Sequence, residues 1–199
     1  TNMEIRQLER EIEIMREINS KYILRLYEVI YREDKGMVYL VVDYANCGSL
    51  EQAIIAETPF TEEEIKSIFK QIALGVKFLH DNSVVHQDLK PANILIRSDG
   101  TILISDLGIG RSFQSAAMVV GTPAYQSPEV VNGSCENEEE TIDPCKEDVW
   151  SLGVTLYQLA YKKLPFTGCN VFEIVRAIES STLKRPEHAS DDDLWDLIK

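Results

Sequence analysis

The feature that most constrains this chain is the run His86-Gln87-Asp88-Leu89-Lys90-Pro91-Ala92-Asn93, because a dense polar segment abuts two short apolar ones. Ile94-Leu95-Ile96 and Ile102-Leu103-Ile104 flank Ser98-Asp99-Gly100, and a further acid, Asp106, follows. Short Ile/Leu runs around a polar turn with glycine predict a buried β-hairpin over 94–104. A hairpin brings its two ends together, so Asn93 and Asp106 must lie close, with Asp88 and Lys90 alongside. A single loop carboxylate is ordinarily just solvated. Four polar residues converging on the ends of buried strands call for another reason.

The segments around this hairpin differ in kind. Ile5, Leu8, Ile12, Met15 and Ile18 recur at spacings of three and four, which predicts a helix over 3–18. Residues 22–31 and 37–44 read as strands joined by the polar turn 32–36, and Met37-Val38-Tyr39-Leu40-Val41-Val42 has the β-branched and aromatic character of a buried strand. A short helix is predicted from Leu50. Thr61 and Glu64 form a capping box that opens a long helix with Ile65, Ile68, Phe69, Ile72, Val76 and Leu79 on its apolar face. Val84-Val85 reads as a short strand. Residues 109–128 lack periodicity and read as a long functional loop. An apolar helix runs from Asp148 to about Tyr161, and an amphipathic one covers about 170–180. Helix and strands first, then mostly helix, predicts an α+β fold in two unequal lobes, residues 1–44 and 45–199.

With 199 residues and 44% hydrophobic content the chain can bury a sizeable core. Its 20 basic and 33 acidic residues give a net charge of −13, which argues against nucleic acid or an anionic membrane surface as partner. No run of 18 apolar residues is present, and Thr1 to Arg10 does not read as a signal peptide. Cys47, Cys135, Cys145 and Cys169 form neither a C-x-x-C pair nor a zinc-ligand pattern with histidine, and read as free thiols of a reducing compartment. A cytoplasmic or nuclear location is expected. The sequon Asn132-Gly133-Ser134 reads as a chance match. The run Glu136-Asn137-Glu138-Glu139-Glu140 reads as a solvated insertion.

His86 to Asn93, then Asp106-Leu107-Gly108, then Gly121-Thr122-Pro123-Ala124-Tyr125 and Ser127-Pro128-Glu129, with Asp148-Val149-Trp150-Ser151-Leu152-Gly153 beyond, stand in one order. They resemble the protein-kinase catalytic loop H-R-D-x-K-x-x-N, the D-F-G motif and the A-P-E motif. The resemblance covers residues 3–199 and implies phosphoryl transfer from ATP, a reaction that needs in-line positioning and neutralised phosphate charge. It implies that Asp88 orients the substrate hydroxyl and takes its proton late. Lys90 lies beside the transferred group, and Asn93 and Asp106 ligate Mg²⁺. Lys90 and Thr122 further imply serine/threonine rather than tyrosine acceptors, and Thr122 joins the catalytic set. The first helix resembles the one whose glutamate pairs with a lysine on a preceding strand, and Glu11 takes that place. Met15, Leu26, His86 and Leu107 fall where the family stacks its regulatory spine. Val42 becomes the gatekeeper and Asp43-Tyr44-Ala45 the hinge, whose backbone meets the adenine, so that side-chain identity there matters little. Leu95 lies under the adenine ring, although an ordinary core leucine fits the pattern equally.

The chain departs from the family in several places. No glycine-rich loop and no V-A-I-K strand precede Thr1, and the last helices of the large lobe are not reached, so a partial domain that binds ATP poorly is expected. Gln87 stands for the arginine that grips an activation-loop phosphate, Leu107 for the phenylalanine of D-F-G, and Ser127 for the alanine of A-P-E. Ser105-Asp106-Leu107-Gly108 and Gly121 to Glu129 look most like the liver kinase B group, with the calmodulin-dependent kinase kinases as the nearest rival. Members of that group phosphorylate a threonine in AMP-activated protein kinase and its relatives, and are switched on by a STRAD-type pseudokinase and a helical-repeat scaffold. A pseudokinase that binds partners without phosphoryl transfer is the competing expectation. The presence of Asp88, Lys90, Asn93 and Asp106 together weighs against it.

Overall fold

The computed structural model describes residues 2–107, 123–131, 143–180, 182–187, 189 and 191–199, and the statements below concern those residues. Helix α1 (Asn2–Glu17) leads to an antiparallel ribbon of β1 (Leu26–Arg32) and β2 (Met37–Val42), joined by a 3₁₀ turn at Glu33–Lys35. Helices α2 (Leu50–Ile55) and α3 (Glu62–Asp81) follow. A second antiparallel ribbon pairs β3 (Ile94–Ile96) with β4 (Ile102–Ile104), in the register Ile94↔Ile104, Leu95↔Leu103 and Ile96↔Ile102. Beyond it lie a 3₁₀ turn at Pro123–Tyr125, α4 (Pro128–Val131), α5 (Pro144–Tyr161), α6 (Val171–Ser180) and α7 (Asp192–Ile198). The architecture is α+β, as the order of segments predicts.

The sequence accounts for these elements locally. Thr61 caps α3 through its Oγ1, which accepts from the Glu64 N–H at 3.2 Å, while the Glu64 carboxylate accepts from the Thr61 N–H at 2.8 Å. A second capping box, Ser49 with Gln52, starts α2. One face of α3 (Ile68, Ile72, Val76, Leu79) is buried with Ile23, Leu50, Ile94, Ile102, Ile104 and Leu159 in the main core. Each such aliphatic side chain contributes about 1.5–3 kcal/mol when withdrawn from water. Gly75 lets α3 close on β4, since a Cβ there would come within 2.6 Å of Ile104 Cδ1. A smaller cluster of Ile12, Met15 and Leu26 joins α1 to the first ribbon, and Leu107 packs against both clusters.

Four details differ from the sequence expectation. Residues 22–25 are not part of β1. Instead the Tyr22 C=O accepts from the Ile104 N–H at 2.8 Å and the Leu24 N–H donates to the Ile104 C=O at 2.9 Å, so this stretch clamps β4 from the side. Val84-Val85 forms no strand. The Val84 N–H is consumed by the Leu79 C=O at the end of α3. Helix α5 begins at Pro144 rather than Asp148, because Asp143 caps it and proline suits the first helical position. Helix α7, capped by Asp191, has too few apolar residues to register as periodic.

Candidate active site

The entry to the loop His86 to Asn93 is anchored by one buried carboxylate. Asp148, in the first half of α5, is fully buried. Its Oδ2 accepts from the His86 N–H and its Oδ1 from the Gln87 N–H, both at 2.8 Å, and His80 Nε2 from α3 lies 2.8 Å from Oδ2. A buried carboxylate is tolerated only with such donors, so the loop's entry is fixed by the need to satisfy it. Gln87 then takes a left-handed conformation, φ 62°, which turns the chain toward Asp88.

His86, fully buried, is the next anchor. Its Nε2 donates to the Ser105 C=O at 2.9 Å and its Nδ1 accepts from the Asp88 N–H at 3.2 Å. Both bonds require the neutral Nε2–H tautomer. Burial pushes the imidazole pKa below its ordinary value, against the opposing pull of the Ser105 carbonyl and the surrounding aspartates.

Asp88, Lys90 and Asn93 converge as the sequence predicts. Lys90 Nζ lies 2.8 Å from Asp88 Oδ2. Asn93 Nδ2 donates to the Asp88 C=O at 2.9 Å and to Asp88 Oδ2 at 3.1 Å. With both amide hydrogens used, the carbonyl Oδ1 is the atom Asn93 has left for a cation. Pro91 opens a 3₁₀ turn through Asn93, and the Asn93 C=O accepts from the Ser105 N–H at 2.9 Å and from Ser105 Oγ at 3.1 Å. This clasp closes the hairpin and holds the exposed Asp106 (φ 59°) next to Asn93. Among the described residues no cluster of three or more His, Cys, Asp or Glu could hold a metal. An asparagine and an aspartate suit Mg²⁺, which binds through one or two protein oxygens and takes the rest from water and phosphate.

Of the residues expected around the adenine, Asp43 and Ala45 lie on the crossing from β2 to α2, Val42 ends β2, and Leu95 lies on β3. Val42 packs against the cluster of Ile12, Met15 and Leu26. Among the described residues no backbone hydrogen bond engages Ala45, which leaves its N–H and C=O for a ligand's edge. Leu95 is half-buried on β3 and bridges to Ser49. The Asp43 side chain is not idle, contrary to expectation. It accepts from the Arg25 N–H at 3.1 Å, the Tyr27 hydroxyl at 2.8 Å and Arg97 Nη2 at 2.6 Å. Burial pushes the Asp43 carboxyl up, but the bonds from Tyr27, Arg25 and Arg97 outweigh it and hold the pKa below the usual value.

Of the expected spine, Met15, Leu26 and Leu107 share one cluster, and His86 is buried. Glu11 lies in α1, with its side chain outside the described part of the structure. Thr122, Gly108, Gly121 and the acidic run 136–140 lie outside the described residues. Sequence reasoning assigned no role to Asp148, His80 or Arg97. An aspartate within an apolar helix was the available signal for the first. Nothing in the sequence pairs Arg97 with Asp43.

The chain matches the protein kinase domain family across residues 1–199. It is 33% identical to serine/threonine-protein kinase STK11 of Gallus gallus over 199 residues, which is 96% of this chain and 44% of that protein. The Homo sapiens STK11 is likewise 33% identical over 96% of this chain and 45% of the relative. NUAK family SNF1-like kinase 1 of Homo sapiens is 36% identical over 92% of this chain and 27% of the relative. The chain thus spans less than half the length of these curated relatives. With the match covering its whole length, the chain belongs to the protein kinase domain family.

Proposed function

We propose that this chain carries the catalytic machinery of a serine/threonine protein kinase that moves the ATP γ-phosphoryl group to Ser or Thr hydroxyls of proteins. The observation that carries the reading is the Asp88 carboxylate, held 2.8 Å from Lys90 Nζ and 3.1 Å from Asn93 Nδ2 on a loop clasped to Ser105. Such a carboxylate has one use that a surface acid lacks. It is aimed, and it costs little reorganisation when a hydroxyl arrives. Asp88 orients the acceptor hydroxyl and receives its proton as the bond to phosphorus forms. Lys90 neutralises charge at the transferred group, and Thr122 completes the substrate side. Asn93 and Asp106 would hold Mg²⁺, which supplies charge neutralisation of the phosphates when bound. Val42, the backbone of Asp43 and Ala45, and Leu95 would hold the adenine, and Glu11 would position a phosphate-binding lysine.

Residues 1–44 then belong to a small lobe and 45–199 to a large one. The likeness to STK11 supports an upstream kinase that acts on relatives of AMP-activated protein kinase in the cytoplasm or nucleus. A STRAD-type pseudokinase and a helical-repeat scaffold would be its partners. No helix among the described residues is long and apolar enough to cross a membrane. Gln87 cannot grip a phosphate as arginine does, so activity should survive phosphatase treatment.

The test is transfer of labelled phosphate from Mg-ATP to a threonine peptide by the full-length protein, with and without a pseudokinase partner. Asp88→Asn should lower the rate by at least about a hundredfold, the scale of a lost acid–base group. Absence of transfer from the unsubstituted protein in either condition would replace this reading with that of a partner-binding pseudokinase.

A further inference from the structure

The hairpin that carries Asn93 and Asp106 at one end is bonded at its other end to the segment expected to hold the adenine. Arg97 and Ser98 form the start of the turn between β3 and β4. Arg97 Nη2 reaches Asp43 Oδ1 at 2.6 Å. Asn46 and Ser98 exchange two bonds. Asn46 Nδ2 donates to Ser98 Oγ at 3.0 Å, and the Ser98 N–H donates to Asn46 Oδ1 at 2.9 Å. Backbone bonds continue the seam, from the Cys47 N–H to the Ile96 C=O at 3.0 Å and from the Ile96 N–H to the Gly48 C=O at 2.8 Å. Asp43 and Asn46 therefore bracket Ala45, whose backbone is unbonded among the described residues, and both are held by the same turn.

We infer that Arg97 is a positioning residue for the nucleotide. Through Asp43 it fixes the adenine-facing backbone at Ala45 in register with the metal-holding pair at the far end of the same hairpin. Strands of three residues span about 10 Å, so β3–β4 works as a rigid spacer between the base-holding and phosphate-holding ends. Tyr27 and the Arg25 N–H attach β1 to the same carboxylate, which makes Asp43 the point where the spacer meets the first ribbon. Among the described residues the Arg97 guanidinium bonds to Asp43. This inference rests on the proposed function, because it presumes a nucleotide at this crossing.

The test uses Arg97→Ala and Arg97→Lys in the full-length protein. In Arg97→Ala the KM for ATP should rise roughly fivefold to tenfold, the scale of one ordinary hydrogen bond. The KM for peptide and kcat should stay within about twofold, since the loop at Asp88 is anchored separately. Amide hydrogen exchange at residues 43–48 should quicken. Arg97→Lys, which keeps the charge, should recover most of the ATP affinity. An unchanged KM for ATP, or equal rises for ATP and peptide, overturns the inference. If the unsubstituted protein transfers no phosphate, the catalytic reading fails by itself, and titration with Mg-ADP still decides this one. Weaker binding in Arg97→Ala supports it, whereas equal binding, or none by the unsubstituted protein, overturns it.

Discussion

The two β-ribbons have the same topology and opposite surroundings. In β3–β4 the residues Ile94, Ile102, Leu103 and Ile104 are at most 1% exposed, whereas in β1–β2 Tyr31, Met37 and Val41 are 40–52% exposed. The shorter ribbon is enclosed by α3, by the stretch from Tyr22 to Leu24 and by the Cys47–Gly48 segment. The longer ribbon packs one face on α1 through Val29, Leu40 and Val42, and leaves Ile30, Tyr39 and Val41 exposed on the other. The deep burial of Ile94, Ile102, Leu103 and Ile104 explains why three residues per strand suffice for the ribbon that bears the candidate site. At its ends the Arg97 guanidinium bonds to Asp43, and the Asn93 C=O accepts from Ser105. The exposed ribbon has no comparable demand on its outward side chains, and the two regions meet just past β2 at Asp43, which bonds to both.

Substitutions should separate the ribbons, with the greatest loss at the enclosed one. Ile104→Ala removes a fully buried side chain and should destabilise the protein by about 4 kcal/mol in chemical denaturation. Asp148→Asn keeps the shape but turns a donor toward backbone N–H groups that need an acceptor. It should cost about 3 kcal/mol, and kcat should fall because the catalytic loop loses its anchor. Gly75→Ala sets helix preference, a gain of about 1 kcal/mol, against a Cβ placed 2.6 Å from Ile104. That Ile104 is fully buried and cannot move aside, so the net result should be a loss of about 1–2 kcal/mol.

The pH dependence probes the same region. His86 is held neutral with its pKa lowered, so the unfolded chain binds a proton more readily than the folded one. The stability this contributes is complete above the ordinary histidine range, about pH 6.5. It is lost as pH falls from there toward the lowered value. His86→Gln should flatten that part of the stability–pH curve. The smallest effect belongs to the exposed ribbon, where Val41→Thr should change stability by no more than about 0.5 kcal/mol. A loss there as large as at Ile104 would erase the distinction between the ribbons.

The site was more legible in the sequence than its supports. Asp88, Lys90, Asn93 and Asp106 stand within one stretch, and the apolar triplets around Ser98-Asp99-Gly100 announce the hairpin that joins them. The capping box at Thr61 and the periodic faces of α1 and α3 are likewise local signals. Asp148 meets His86 from 62 residues away, and Arg97 meets Asp43 from 54 away, so neither pairing leaves a spacing to read. The clamp at Tyr22–Leu24 misled because β-branched and aromatic residues suit a bridge to one neighbour as well as a regular strand. At Asp43 the expectation considered only the backbone, and a partly enclosed carboxylate requires donors whatever its main chain does.

The enclosed hairpin also bears on the order of folding. Its own register and the Asn93–Ser105 clasp close over residues 93–105, a short loop with little closure entropy to overcome. The Tyr22 and Gly48 contacts that enclose it come from much farther along the chain. Local contacts form fastest, so the hairpin and its clasp can take shape first, while the loop before it waits for Asp148 to arrive from α5.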